Sequence, residues 1–342
     1  MACSFGAMNA SPALSVNSMS QLTHIKTNQR GHLLYDDAVV LLGHTGAVLT
    51  SKFSLDGTCI VSGGMDRTIR LWHLPQNEFE STPNFGVLEG HKSAVTSMQW
   101  KDMETLFSVS ADRTIGFWDT ITGDRISNGI GHELSVNDCS VSYSATSISV
   151  GDDGMLMSWD GRVKKATSSI TTLFPLLCCE LSKDGSIAYV SGIDPCVKAY
   201  DMSNGELLWS CQVAQDTVTG LALSSDGSRL ACRLVDGHVV TINASKSVPT
   251  GISRVGPSFE GATPRPLRNI VRTCFSTDDV FLTAGSDCQE ALVWDSASRR
   301  MRARYTDHKD AVLQTDFHPS ESILMSCAID GNIVVRQCDF KT

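Results

Sequence analysis

The chain has 342 residues, is 42% apolar and carries a formal net charge of −9. An acidic chain offers no general nucleic-acid-binding surface, and no apolar run approaches the ~18 residues of a membrane helix. Its twelve cysteines contain no Cys-x-x-Cys spacing, and the vicinal Cys178-Cys179 cannot build a tetrahedral site alone, so no zinc site or disulfide framework is indicated. They read as small buried thiols in a reducing compartment, cytosol or nucleus.

The opening "MACSFGAMNASPALSVNSMSQ" has no cationic segment followed by a continuous apolar one, so it does not read as a secretory signal. Its Ser/Ala/Asn/Met mixture predicts a disordered tail over residues 1–35, ahead of one domain over 36–342. "DAVVLL" (37–42) is a short apolar strand with no repeat of its own. From there the chain repeats. Trp72, Trp118, Trp159, Tyr200, Ile242, Trp294 and Arg336 stand 46, 41, 41, 42, 52 and 42 residues apart. The first three units open on Gly43-His44, Gly90-His91 and Gly131-His132 and close on "LWH", "FWD" and "SWD". Within each unit, alternating apolar runs such as "AVLTSKF" and "AVTSMQW" lead into hairpin turns, with Asp56-Gly57, Asp184-Gly185 and Asp226-Gly227 in three of them.

A period slightly above forty with these markers resembles the WD repeat, one four-stranded blade of a β-propeller. The fold class expected is all-β: a seven-bladed WD-repeat propeller, with residues 38–42 lending the last blade its outer strand. The resemblance implies one buried hydrogen-bond network per regular blade. Its members would be His44, Ser62, Asp66 and Trp72; His91, Ser108, Asp112 and Trp118; and His132, Ser149, Asp153 and Trp159. Each serine lies four residues before its Asp and each Trp six after it.

Later units lose several of these members together. Asp194 and Tyr200 remain in the fourth, without a Gly-His. In the fifth, Val213-Ala214, Cys232 and Ile242 replace Gly-His, Ser and Trp, and Asp236 stays. The sixth has Cys288 at the Asp position and Asp287 displaced by one. The seventh keeps His308, Ser326 and Asp330, but puts Asp307 for Gly and Arg336 for Trp. Since a half-satisfied buried network is worse than an apolar core, these units are expected to rely on sheet packing. Residues 245–269, with four of the ten prolines, read as an enlarged loop between blades five and six, functional or disordered.

No phosphate-cradling, dinucleotide or nucleophile-elbow motif occurs. The histidines outside the repeat show no ligand or base spacing, so no catalytic residue, metal or cofactor is assigned. "SRRMRARY" (298–305) is placed as an outer strand with Arg300, Arg302 and Arg304 on one face. It reads either as a charged edge against aggregation or as a patch for RNA phosphate or an acidic protein. Arg67 and Arg113 follow their network Asp at equivalent rim positions near Lys92, the expected partner-binding face.

Several strings in one register carry a narrower resemblance: "LFSVSADRTIGFWDTITGDR", "DTVTGLALSSDGSRL", "RNIVRTCFSTDD" and "VWDSASRRMRARY" followed by "FHPSESILMS". They are similar to the WD-repeat subunits of the U5 small nuclear ribonucleoprotein. That likeness implies a nuclear, non-enzymatic scaffold, a monomeric propeller within a larger complex. It would dock on the large central spliceosomal protein of the Prp-eight type, beside other U5 proteins, with peripheral RNA contact possible and no membrane. The rival is a substrate receptor of a cullin–RING ubiquitin ligase, from the W-D-x-R string Trp159–Arg162.

Overall fold

A computed structural model describes residues 22–25, 38–74, 84–259, 261 and 269–338. Its strands form six four-stranded antiparallel sheets and one of five. Blade one is Val48–Phe53, Cys59–Gly64, Ile69–His73 and Asn84–Leu88. The first strands of successive blades pack side by side, and the last of them, Val312–Phe317, packs on Val48–Phe53. The ring is closed, with seven blades and the first strands around a central bore.

Each of the seven contacts between neighbouring blades has its own apolar cluster. The repeating ladder fills them: Trp72 lies between blades seven and one, Trp118 between one and two, and Ile242 between four and five. Trp72, Trp118 and Trp294 are wholly buried. The period in the sequence is therefore the period of blade-on-blade packing, since a lone blade cannot bury its own faces.

Blade seven is completed by the N-terminal segment. Ala38–Leu41 pairs antiparallel with Ile333–Gln337, register Ala38↔Arg336 to Leu41↔Ile333. The segment is the fourth strand but not the edge, because Leu22–Ile25 pairs on its outer side. That strand falls inside the expected tail; the other residues of 1–35 lie outside the described residues. Closure within one sheet by both ends of the chain ties first residues to last.

The proline-rich stretch also departs from expectation. Val255–Ser258 is the outer strand of blade five, and Phe259 packs edge-to-face on Trp294 with ring centroids 5.9 Å apart. Residues 260 and 262–268 lie outside the described residues.

Candidate functional site

Blades one to three each hold a four-membered hydrogen-bond chain. His44 Nδ1 is 2.8 Å from Asp66 Oδ2, His44 Nε2 is 2.7 Å from Ser62 Oγ, and Trp72 Nε1–H donates to the same Oγ at 2.8 Å. The chains from His91 to Trp118 and from His132 to Trp159 repeat this geometry. Partner chemistry sets the protons. A carboxylate only accepts, so Nδ1 carries the hydrogen; Nε2 then accepts from a hydroxyl whose oxygen receives the indole N–H. Burial lowers the basicity of His44, His91 and His132, with their Asp partners opposing it. Burial alone would raise the Asp66 and Asp112 carboxyls. Hydrogen bonds from the imidazole and from nearby backbone N–H groups outweigh it and hold both well below the usual carboxylate range.

This is the connectivity of a Ser-His-Asp triad, but Ser62, Ser108 and Ser149 are completely buried. No substrate reaches those hydroxyls, so the chains rigidify the blades.

Elsewhere the network is replaced piece by piece. Cys232 and Ile242 sit in the apolar cluster between blades four and five. In blade four Asp194 turns to Lys198 at 2.6 Å. Asp287 of blade six accepts from Asn269 at 2.9 Å. Blade seven keeps His308 between Ser326 and Asp330, while Arg336 and Asp307 form a buried ion pair.

The bore carries charges that motif reading missed. Arg272 reaches across its top: Nε lies 3.1 Å from Asp138 Oδ1, and its Nη groups donate to the carbonyls of Leu49, Thr96 and Asn137 at 3.4, 3.0 and 2.9 Å. Blade six is thereby bonded to blades one, two and three. Lower down, Lys52 pairs with Asp316 at 3.0 Å. Beneath Arg272 lies a cavity of about 210 Å³ lined by Lys52, Gln99, Glu180 and Gln314. The available signal was a single charge in four of the first strands, as in "VLTSKF" and "LLCCEL".

Arg67 and Arg113 are exposed and have positive φ, 69° and 70°, where Gly154, Gly237 and Gly331 stand in other blades. Lys92 is exposed on the same end, its N–H donating to Asp112. That end also shows Met65, Leu134, Ile193 and Leu173, the last 89% exposed. Arg300, Arg302 and Arg304 lie on or beside the outer strand Met301–Tyr305 and face solvent. Arg302 is paired with Asp295 and Arg304 with Glu290, which leaves little free charge for a phosphate. The W-D-x-R arginine, Arg162, is clamped on Asp160 of its own turn.

The model for the WD domain, G-beta repeat, matches residues 37–73, 83–119, 123–160 and 299–336. Each match begins at the fourth strand of one sheet and ends on the third strand of the next, so the repeat unit staples adjacent blades. The pre-mRNA-splicing factor cwf17 of Schizosaccharomyces pombe is 31% identical over 327 residues, 95% of this chain and 94% of that one. The U5 small nuclear ribonucleoprotein 40 kDa protein of Homo sapiens is 31% identical over 302 residues, 87% and 83% of the two chains. Its Dictyostelium discoideum counterpart is 28% identical over 301 residues, with the same coverage.

Proposed function

The chain belongs to the family of WD-repeat proteins that includes cwf17 and the U5 40 kDa proteins, and from that premise we propose that it is a non-enzymatic spliceosomal scaffold of the U5 particle in the nucleus. In this reading it docks on the large Prp-eight-type protein and supports pre-mRNA splicing. The observation that carries it is end-to-end correspondence with a splicing factor, 95% of one chain on 94% of the other. A shared repeat alone would align blades in any register.

The docking face we assign is the end bearing Arg67, Lys92 and Arg113. A non-glycine residue at positive φ costs about 1–2 kcal/mol, and a strained residue held in place points to function. Two arginines occupy such sites beside exposed apolar side chains, and arginine is a favoured interface anchor. Arg300, Arg302 and Arg304 form the second surface to test. The ubiquitin-ligase reading has no support in the relatives' names, and Arg162 is engaged within its own turn.

Affinity purification of the tagged chain from nuclear extract tests the proposal. U5 RNA and the large spliceosomal protein are the expected co-purifying species. Recovery of a cullin with its propeller adaptor, and no U5 component, would overturn it.

A further inference from the structure

Three acids and two bases face the bore, Asp138, Glu180, Asp316 and Lys52 from first strands and Arg272 from just before one. Arg272 is paired with Asp138 and Lys52 with Asp316. Among the described residues Glu180 makes no hydrogen bond or ion pair; burial pushes its carboxyl up to about 8, with Lys52 opposing and Asp138 reinforcing the shift. An orphaned carboxyl facing a cavity is a group awaiting a partner.

Access to it runs one way. Arg272 spans the bore at the end where the first strands begin. Glu180 borders both the cavity of about 210 Å³ and a second of about 180 Å³ that continues past Leu223 and Ser225 to Tyr143 and Lys183, at the opposite end. The rim there is built from the turns between first and second strands, and those turns are bonded to one another. Tyr143 N–H donates to Lys183 O, Ser225 N–H to Asp279, Thr277 Oγ1 to Pro319 O, and His318 Nε2 to Gly57 O. On this fixed rim stand exposed apolar side chains: Leu55, Met103, Val280 and Tyr143, the last 80% exposed. A free solute needs no apolar collar, whereas a protein surface seated on the rim would cover it.

We infer that the bore is a socket for one cationic side chain, an arginine or lysine, of a partner protein seated on this collar, with Glu180 receiving its charge. With both ion pairs closed, Glu180 is the one acid facing the bore without a cation bonded to it, and a cation entering at neutral pH would displace the proton that burial holds there. A long, thin stem with a charged tip fits a narrow blind bore. The end concerned is opposite to that bearing Arg67 and Arg113, so the inference does not rest on the proposed docking face or on the U5 assignment.

The test uses the full chain with N-acetyl-arginine amide and its neutral isostere, N-acetyl-citrulline amide, followed by NMR titration. Saturable binding of the arginine probe and none of citrulline are expected. Glu180→Gln should weaken the arginine probe about ten- to hundredfold, as expected on losing a hydrogen bond to a charged group, with a melting temperature no lower than that of the unaltered chain. Ser225→Trp, which narrows the path without touching the carboxyl, should also abolish binding and decides the matter if Glu180→Gln fails to fold. Equal binding of citrulline, equal affinity in either variant, or no saturable arginine binding would overturn the inference. Spermidine binding as strongly as the arginine probe would overturn the protein partner in favour of a free cation.

Discussion

Arg336 and Asp307 meet at the positions where regular blades put Trp and Gly: Nη2 lies 2.6 Å from Asp307 Oδ1 and Nε 3.1 Å from Oδ2. In blades one to three the two positions are coupled by contact. A Cβ on Gly43, Gly90 or Gly131 would stand 3.0–3.1 Å from the facing indole, so the Trp demands a glycine. Arginine lifts that demand and brings a charge, which Asp307 neutralises; Tyr305 stacks over the guanidinium at 4.9 Å.

Breaking this pair should be costly and restoring the regular pair should rescue it. Asp307→Gly alone orphans a buried guanidinium and should cost about 3–5 kcal/mol. Asp307→Gly with Arg336→Trp should recover most of that, because Ser326 regains an indole donor. Urea denaturation of the four proteins gives the coupling energy; additive effects would dissolve the proposed compensation.

Asp112→Ala removes a carboxylate that accepts from His91, Thr114 and the N–H of Lys92. It should cost about 1–3 kcal/mol through orphaned buried donors, as should Asp66→Ala and Asp153→Ala. Asp287→Ala, outside that register, should cost less. Equal denaturation midpoints for Asp112→Ala and Asp287→Ala would contradict the distinction.

Acid should destabilise the ring in two stages. His44, His91 and His132 have folded pKa values below the usual 6.5, so below that pH the unfolded chain takes up protons the native state refuses. Asp66, Asp112 and Asp330 have folded values below 3.8, so their contribution is present above 3.8 and lost beneath it. Glu180 works in the opposite sense, its folded value of about 8 against 4.5 favouring the native state as pH falls. The measurement is therefore made in Glu180→Gln. A urea midpoint that stays flat from pH 7 to about pH 5 would refute neutral buried imidazoles.

Arg67→Gly and Arg113→Gly should leave stability unchanged or raise it by about 0.5–1 kcal/mol per site, since glycine adopts positive φ without strain. The double variant should nevertheless recover less of the large spliceosomal protein from nuclear extract. Full recovery would move the interface to the strand bearing Arg300, Arg302 and Arg304.

Removing residues 1–42 deletes the strand paired with Ile333–Gln337 and exposes Val334, and should lower the melting temperature sharply. Removing 1–30 takes only the strand outside it and should cost much less. Identical melting curves for the two truncations would disprove closure by Ala38–Leu41.

What the sequence by itself determined is whatever repeats. Seven ladder residues at near-constant spacing predicted seven blades, and fixed offsets from Asp to Ser and Trp marked the members of three networks. Local periodicity suffices there, because every blade solves the same packing problem against its neighbour. What happens once was decided by tertiary structure alone. Asp307 and Arg336, 29 residues apart, look like two separate losses until the fold joins them. Arg272 and Asp138, separated by 134 residues, meet only because the ring is closed and its bore is narrow enough for one side chain to span. Glu180 is left unpaired by that same closure, which brings charges from five distant blades together and matches all but one of the acids.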